Sequence, residues 1–338
     1  MKYKKQLLIL VFILIFISII TNGKKEEVSK QIEVEMPSVN IELVDEGFDI
    51  YDPGSGHGYR YGASCIKNND GSMDMWFSRP GNGSTMWDYI CHKHFYEDGE
   101  CSYETIVLKP NYDSLDHYSV CDPGVIYFDG YYYLGYTGTI NPDGYQNQIF
   151  VSRSEYPDGP FEKWNGSGWG GKPQPIISYE GTNWGMGEIS FVVKDEDLFC
   201  YYTCYDDNEI STHCSKADLV EDWPNTLRYK GVAYHKENLQ DSCDVVYLED
   251  KDMFLAFSIG NRMQNNSKVL IYSSLDGKVF FPYTSLKENV KDNAHNLGIS
   301  KNLDGHIDLE DDLCIIYAYS NENVWGKWKT LLQKISIY

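Results

Sequence analysis

The chain has 338 residues with 29 Lys and Arg against 50 Asp and Glu, a formal net charge of -21. That excess of negative charge argues against nucleic acid and anionic lipid as partners and fits a soluble acidic surface. Nine cysteines, an odd number without paired C-x-x-C spacing, argue against a structural zinc site.

Residues 1–5 are basic and residues 7–20 form a continuous apolar run. This is the pattern of a secretory signal peptide. The run is short for a membrane span, which needs about 20 apolar residues. Thr21, Asn22 and Gly23 make a poor cleavage site, so residues 1–23 read as a signal peptide or an N-terminal anchor. The body is expected to be secreted or at the cell surface, with no membrane contact except through such an anchor. Residues 24–38 are charged and aperiodic and read as a linker. Residues 39–338 show no further shift in composition and are expected to form one domain.

The strand pattern repeats. Its clearest copy is residues 119–136. Asp122 is followed by Pro123 and Gly124, then by an apolar strand at 125–128. Asp129-Gly130 is a two-residue hairpin turn, and an aromatic strand at 131–136 returns. Similar units start near Ser64, Glu188, Asp244 and His295. The spacing matches propeller blades, roughly 40–50 residues each with loops added. The expected fold is therefore all-β, a five-bladed β-propeller of four-stranded antiparallel blades. A β-sandwich would not need one polar head at the same point of every unit.

Residues 325–338 read as a final strand pair. They are expected to complete the last blade or to pair with residues 41–44, since a free edge invites aggregation. Cys65, Cys200, Cys243 and Cys314 fall inside strands and read as small buried apolar residues. A disulfide among Cys91, Cys101, Cys204 and Cys214 stays open.

The first strand of each propeller blade lines the channel, so the heads converge at one mouth. Asp122, Glu188 and Asp244 would meet there, with His295 beside them. Converging carboxylates suit glycoside cleavage: one must be protonated to release the leaving oxygen, another ionised to activate water or attack carbon. Burial and mutual repulsion separate their pKa values. Strand caps or calcium ligands are the competing reading.

Asp122-Pro123, Glu188 and Gly159-Pro160-Phe161, in that setting, resemble the five-bladed β-propeller glycoside hydrolases, in particular glycoside hydrolase family 43 and its relatives. The resemblance spans roughly residues 45–338. It implies Glu188 as general acid and Asp122 as the residue that tunes and orients it. It also implies inversion with a blade-one Asp as base, and His295 as an indirect holder of a central calcium, no cofactor being required. Blade one departs from the pattern, because Gly62-Ala63-Ser64 carries no Asp. Candidate substitutes are Asp88 in the loop at 79–88, Asp52 in an Asp-Pro-Gly loop, and Asp244. Carboxyl separations of about 6.5–9.5 Å would suit inversion and about 5–5.5 Å retention.

Trp87, Trp169 and Trp184 lie in loops near blade heads, where rings could stack on a sugar face or simply pack between blades. His57, Arg60 and Arg79 flank the blade-one head and could bind hydroxyls or a uronate, or cap strands. The expectation is a monomeric, exported glycosidase of arabinofuranosidase or xylosidase type with a carbohydrate substrate. The alternatives are a carbohydrate-binding propeller without catalysis and a glycoside phosphorylase, the latter opposed by the scarcity of arginines.

Overall fold

The computed structural model describes residues 36–83, 86–206, 209–321, 324 and 326–338. The apolar run at 7–20 and the linker up to residue 35 lie outside the described residues, as does Trp325.

The described chain is built of antiparallel β-strands in five blades. Blade one holds Tyr61–Lys67, Met73–Pro80, Asp88–Phe95 and Thr105–Leu108. Blade two holds Ser119–Phe128, Tyr131–Thr139, Gln148–Ser154 and the short Glu162–Lys163. Blade three holds Gly185–Lys194, Asp197–Asp206, Glu209–Asp218 and Arg228–His235. Blade four holds Asp241–Leu248, Met253–Gly260, Lys268–Ser274 and Phe281–Leu286. Blade five holds His295–Lys301, Leu313–Tyr319 and Lys329–Ile337.

The missing fourth strand of blade five comes from the other end of the chain. Ile41–Leu43 pairs antiparallel with the C-terminal strand, Ile41 opposite Ile337. The contact continues through Asn40, whose backbone N–H donates to Tyr338 O at 2.8 Å. The C-terminal strand thus both completes the last blade and takes the N-terminal strand as its edge partner. Blades five and one also touch directly at their inner strands, where Ser300 pairs parallel with Cys65.

Apolar side chains fill the wedges between blades. Ile126, Phe191 and Trp223 pack between blades two and three. Tyr201, Phe254 and Tyr272 pack between three and four. Leu255, Ile299 and Ile315 pack between four and five. Each such side chain stabilises the fold by about 1.5–3 kcal/mol on burial. The sequence has no disulfide to help: all nine cysteines are free thiols. On the paired strands of blade three, Cys204 stands opposite Ser211 and Cys214 opposite Tyr201, too far along the ladder to meet. Cys91 is a buried free thiol in the blade-one core, in the same apolar cluster as Cys65.

Every inner strand breaks register near its start. The break falls between Tyr61 and Ser64, Cys121 and Gly124, Gly187 and Ser190, Asp241 and Asp244, and His295 and Leu297. The residue after the first partner has positive φ in all five blades: Gly62 (62°), Asp122 (50°), Glu188 (55°), Ser242 (27°) and Asn296 (42°). These are the true blade heads. The sequence pattern placed two of them later, at Ser64 and Asp244, and one a residue earlier, at His295. The reason is physical: alternation locates the regular part of a strand, while a bulge adds residues that alternation does not register. Two residues past the head the blades nearly touch. A Cβ on Gly124 would lie 1.9 Å from Ile189 O, so only glycine fits there.

The closing strand supplies a stability prediction. Ile41 is buried in the last wedge and Val44, three residues on, is 58% exposed. Ile41→Asp is expected to cost about 2–4 kcal/mol, with Tm lowered by several degrees in a thermal melt. Val44→Asp should leave Tm unchanged. Equal Tm for the two variants would show that the ring is not closed this way.

Candidate active site

The heads converge on two connected features. At the channel mouth is a cavity of about 190 Å³ lined by Tyr61, Trp87, Asp88, Asp122, Trp184, Glu188, Arg262 and His295, among others. Beneath it the five heads surround a space of about 30 Å³, the size of one water.

Asp122 is held from three sides. Asn296 Nδ2 donates to Oδ1 at 2.8 Å, the Cys121 thiol lies 3.2 Å from Oδ2, and its backbone N–H donates to Ser78 Oγ at 2.9 Å. Burial, then the neighbouring Glu188 charge, pushes Asp122 up to about 8. Glu188 accepts from Thr203 Oγ1 at 2.6 Å, and its own N–H donates to Thr137 Oγ1 at 2.9 Å. Lys236 Nζ donates to the same Thr203 hydroxyl at 2.6 Å and lies 3.8 Å from Glu188 Oε2. Burial and then the Asp241 charge raise the Glu188 pKa, against Lys236 and the Thr203 hydroxyl.

Asp241 is the counterweight. Its Oδ2 lies 2.6 Å from His295 Nδ1, accepts from Asn296 N at 2.7 Å and lies 3.4 Å from Arg262 Nε. Burial alone would raise its pKa, but Arg262, His295 and the backbone donor hold the carboxyl well below the usual range. Asp241 is therefore ionised while Glu188 is pushed toward its protonated form. Burial lowers His295 to about 4, so its imidazole is neutral. Asp88 sits across the mouth with Tyr59 OH donating at 2.6 Å and Ser119 Oγ at 2.7 Å. Burial raises its pKa and those hydroxyls oppose the rise.

Of the residues singled out from sequence, Asp88, Asp122, Glu188, Trp87, Trp184 and His295 meet at this mouth. The others lie elsewhere. Asp244 is one layer below the heads, where it accepts from Lys301 Nζ at 2.6 Å, Ser190 Oγ at 2.7 Å and Ile299 N at 2.9 Å. Its lone pairs are committed to fastening blades three, four and five. Asp52 is exposed, 2.7 Å from Lys329 Nζ. Arg60 and Arg79 both bind Glu104, at 2.8 and 2.7 Å, and Arg60 also stacks over the Tyr51 ring. They tie strands through one shared carboxylate and do not line the cavity at the mouth. His57 is exposed outside the cavity. Trp169 packs on Trp164 and Tyr133 and donates to Glu221 O, which is the packing alternative.

Sequence reasoning missed Asp241, Arg262, Asn296 and Lys236. Asp241 carries a signal in hindsight: it precedes a bulge whose presence displaced attention to Asp244. Arg262 and Lys236 come from loops and strand ends with no periodic mark. Among the described residues no group of three His, Cys, Asp or Glu could hold a metal ion. Arg262 Nε lies 2.9 Å from His295 Nδ1, a cation where a calcium ligand would need to be free of one. The surroundings of Nδ1 do not fit a calcium site.

No family model and no curated protein matches the chain. Solved structures do. Zg3597, a family 117 glycoside hydrolase from Zobellia galactanivorans, is 15% identical over 89% of this chain and 90% of its own, with TM-score 0.61. The catalytic domain of a Coprinopsis cinerea GH62 α-L-arabinofuranosidase is 13% identical over 85% and 95%, with TM-score 0.63. An endo-arabinase from Bacteroides thetaiotaomicron is 15% identical over 86% and 98%, with TM-score 0.56. The chain has the five-bladed β-propeller fold of these enzymes.

The place of Asp244 is testable by stability. Asp244→Ala leaves Lys301, 2% exposed, charged and unpaired, and should cost about 3–5 kcal/mol in chemical denaturation. Asp244→Leu combined with Lys301→Met should regain much of that loss. An unaltered midpoint for Asp244→Ala would contradict the buried pairing.

Proposed function

We propose that the protein is an exported glycoside hydrolase that cleaves O-glycosidic bonds in oligo- or polysaccharides, of the arabinofuranosidase or xylosidase type. The observation that carries this reading is the division of protonation states among carboxylates at one small mouth. Glu188 is pushed up by burial and by an ionised Asp241. Pairs of titratable groups driven apart in this way assign acid and base roles.

Glu188 is the proton donor to the leaving oxygen. Thr203 and Lys236 orient it, and Asp122 stands beside it, pushed up to about 8 by burial and by the Glu188 charge. Asp88 is the remaining carboxylate on the cavity wall. Burial raises its pKa, and with it its basicity, while two hydroxyl donors hold the carboxylate in place, which suits it to take the proton of an attacking water. It fills the part that the blade-one head does not, since Gly62 has no side chain and a Cβ there would lie 3.1 Å from Asp122 Oδ1. Trp87 and Trp184 offer aromatic faces to the sugar. The fold shared with arabinofuranosidases and an endo-arabinase supports pentose-containing substrates.

The test is hydrolysis of a panel of aryl and natural pentosides by the full chain. The unaltered protein should release sugar, and Glu188→Gln should lose about 100-fold or more in kcat with natural substrates. Asp88→Asn should lose a comparable factor. A folded protein that binds sugars and releases none would mean that the bare blade-one head marks a binding propeller.

The Asp241 charge yields a pH prediction. Activity needs Glu188 protonated, so the alkaline limb of the kcat/KM profile follows its pKa. Asp241→Asn removes the charge that raises Glu188 and leaves Arg262 uncompensated, and both changes favour the Glu188 carboxylate. The alkaline limb should move to lower pH. A limb that stays in place or moves upward would break the link between the two groups.

A further inference from the structure

A second cavity, of about 580 Å³, opens on the rim of blade two. It is lined by Tyr112, His117, Tyr118, Lys172 and Gln174, among others. None of these belongs to the site described above, yet rings connect the two places. Trp87, on the wall of the first cavity, lies 5.8 Å from Tyr118, centroid to centroid. Tyr118 lies 4.6 Å from His117, and His117 lies 5.3 Å from Tyr112. The row ends on a tyrosine that is 83% exposed.

The row stands on a rigid base. Asp116, fully buried, is paired with Lys163 and accepts from Tyr136 OH at 3.1 Å and Asn111 N at 3.1 Å. Lys163 also donates to Lys109 O at 2.6 Å and Asn111 Oδ1 at 2.8 Å. Trp87 N donates to Tyr118 O at 2.7 Å, and Tyr118 N donates to Thr139 O at 2.9 Å. A loop held by a buried ion pair, with Tyr112 exposed and His117 and Tyr118 half-buried beside it, loses little entropy on binding a ligand.

The geometry points to an extended glycan-binding strip. The aromatic row and the second cavity hold the part of a chain that runs out from the residue in the first cavity, over blade two. The inference rests on the glycosidase reading for what occupies that first cavity. The ligand is a neutral glycan of several residues. Aromatic faces and polar groups such as Gln174 and Ser114 suit sugar faces and hydroxyls. The ion pair on the cavity wall, Lys172 with Asp113 at 3.7 Å, cancels itself. A chain of net charge -21 repels uronate or sulfated polymers. The enzyme would then act on oligo- or polysaccharides in preference to small glycosides.

The test is affinity electrophoresis of the full chain carrying Glu188→Gln, in gels containing arabinan, arabinoxylan or polygalacturonate. The protein should be retarded by a neutral polymer and not by polygalacturonate. Adding Tyr112→Ala should weaken retardation about threefold to tenfold, and Tyr112→Ala with His117→Ala further, while Tyr112→Phe retains it. Tyr112 is exposed, so its loss does not threaten folding. Retardation unchanged by both alanine variants, retardation by polygalacturonate alone, or none by any polymer would overturn the strip. Hydrolysis of an aryl pentoside by the unsubstituted chain reports separately on the first cavity. Hydrolysis without a Tyr112 effect sinks the strip and leaves the glycosidase. A Tyr112 effect without hydrolysis keeps the strip and sinks the glycosidase.

Discussion

The break in register at the start of each inner strand is the constraint on which the rest of this structure depends. A regular antiparallel strand would alternate its side chains between the two faces of the blade. The bulge turns one residue per blade into the left-handed region instead and aims it at the axis. For Asp122, Glu188, Ser242 and Asn296 that conformation is strained, at roughly 1–3 kcal/mol each. Strain persists where surrounding structure over-determines it. Here the backbone N–H groups of Asp122 and Glu188 are caught by hydroxyls of Ser78 and Thr137 on neighbouring strands. Five such breaks on five blades gather chemistry that is scattered over more than two hundred residues of chain.

Gathering carboxylates in a buried place creates an electrostatic problem, and the structure resolves it by unequal treatment. Asp241 receives His295, the Asn296 N–H and Arg262, and stays charged. Glu188 and Asp122 receive neutral donors or a more distant lysine, and their charged forms are disfavoured. Below the heads, Asp244 and Lys301 neutralise one another. The same residue type therefore serves as fastening in one layer and as chemistry in the next. Burial and neighbouring negative charge raise a carboxylate, hydrogen-bond donors and cations lower it, and among Asp122, Glu188 and Asp241 the second set prevails only at Asp241.

The family-like pattern and the structure meet at Asp122 and Glu188 and part at blade one. Gly62 keeps the backbone turn of a head without a side chain, and a Cβ there would crowd Asp122 at 3.1 Å. Asp88 reaches the mouth from the third strand of the same blade. Two arginines that looked available near that head are instead consumed by Glu104. The mouth is consequently poor in cations, with Arg262 tied to Asp241 and Lys236 to Thr203, which suits a neutral sugar.

The sequence by itself determined the number of blades, their order and the identity of two heads. Hairpin turns such as Asp129-Gly130 and period-two strands are local signals, carried by neighbouring residues. It also determined that the chain ends would meet at the ring closure, because an unpaired edge strand must be covered. Only the tertiary structure decided which acids share a cavity. Asp241 and Asp244 are three residues apart and equally prominent in sequence, yet one neighbours Glu188 and the other lies a layer below. A bulge separates them, and bulges leave no mark on hydrophobic alternation. The partners that set their charge, Arg262, His295 and Lys301, arrive from other strands and loops. Proximity in the fold decides protonation, and no local pattern in the chain encodes that proximity.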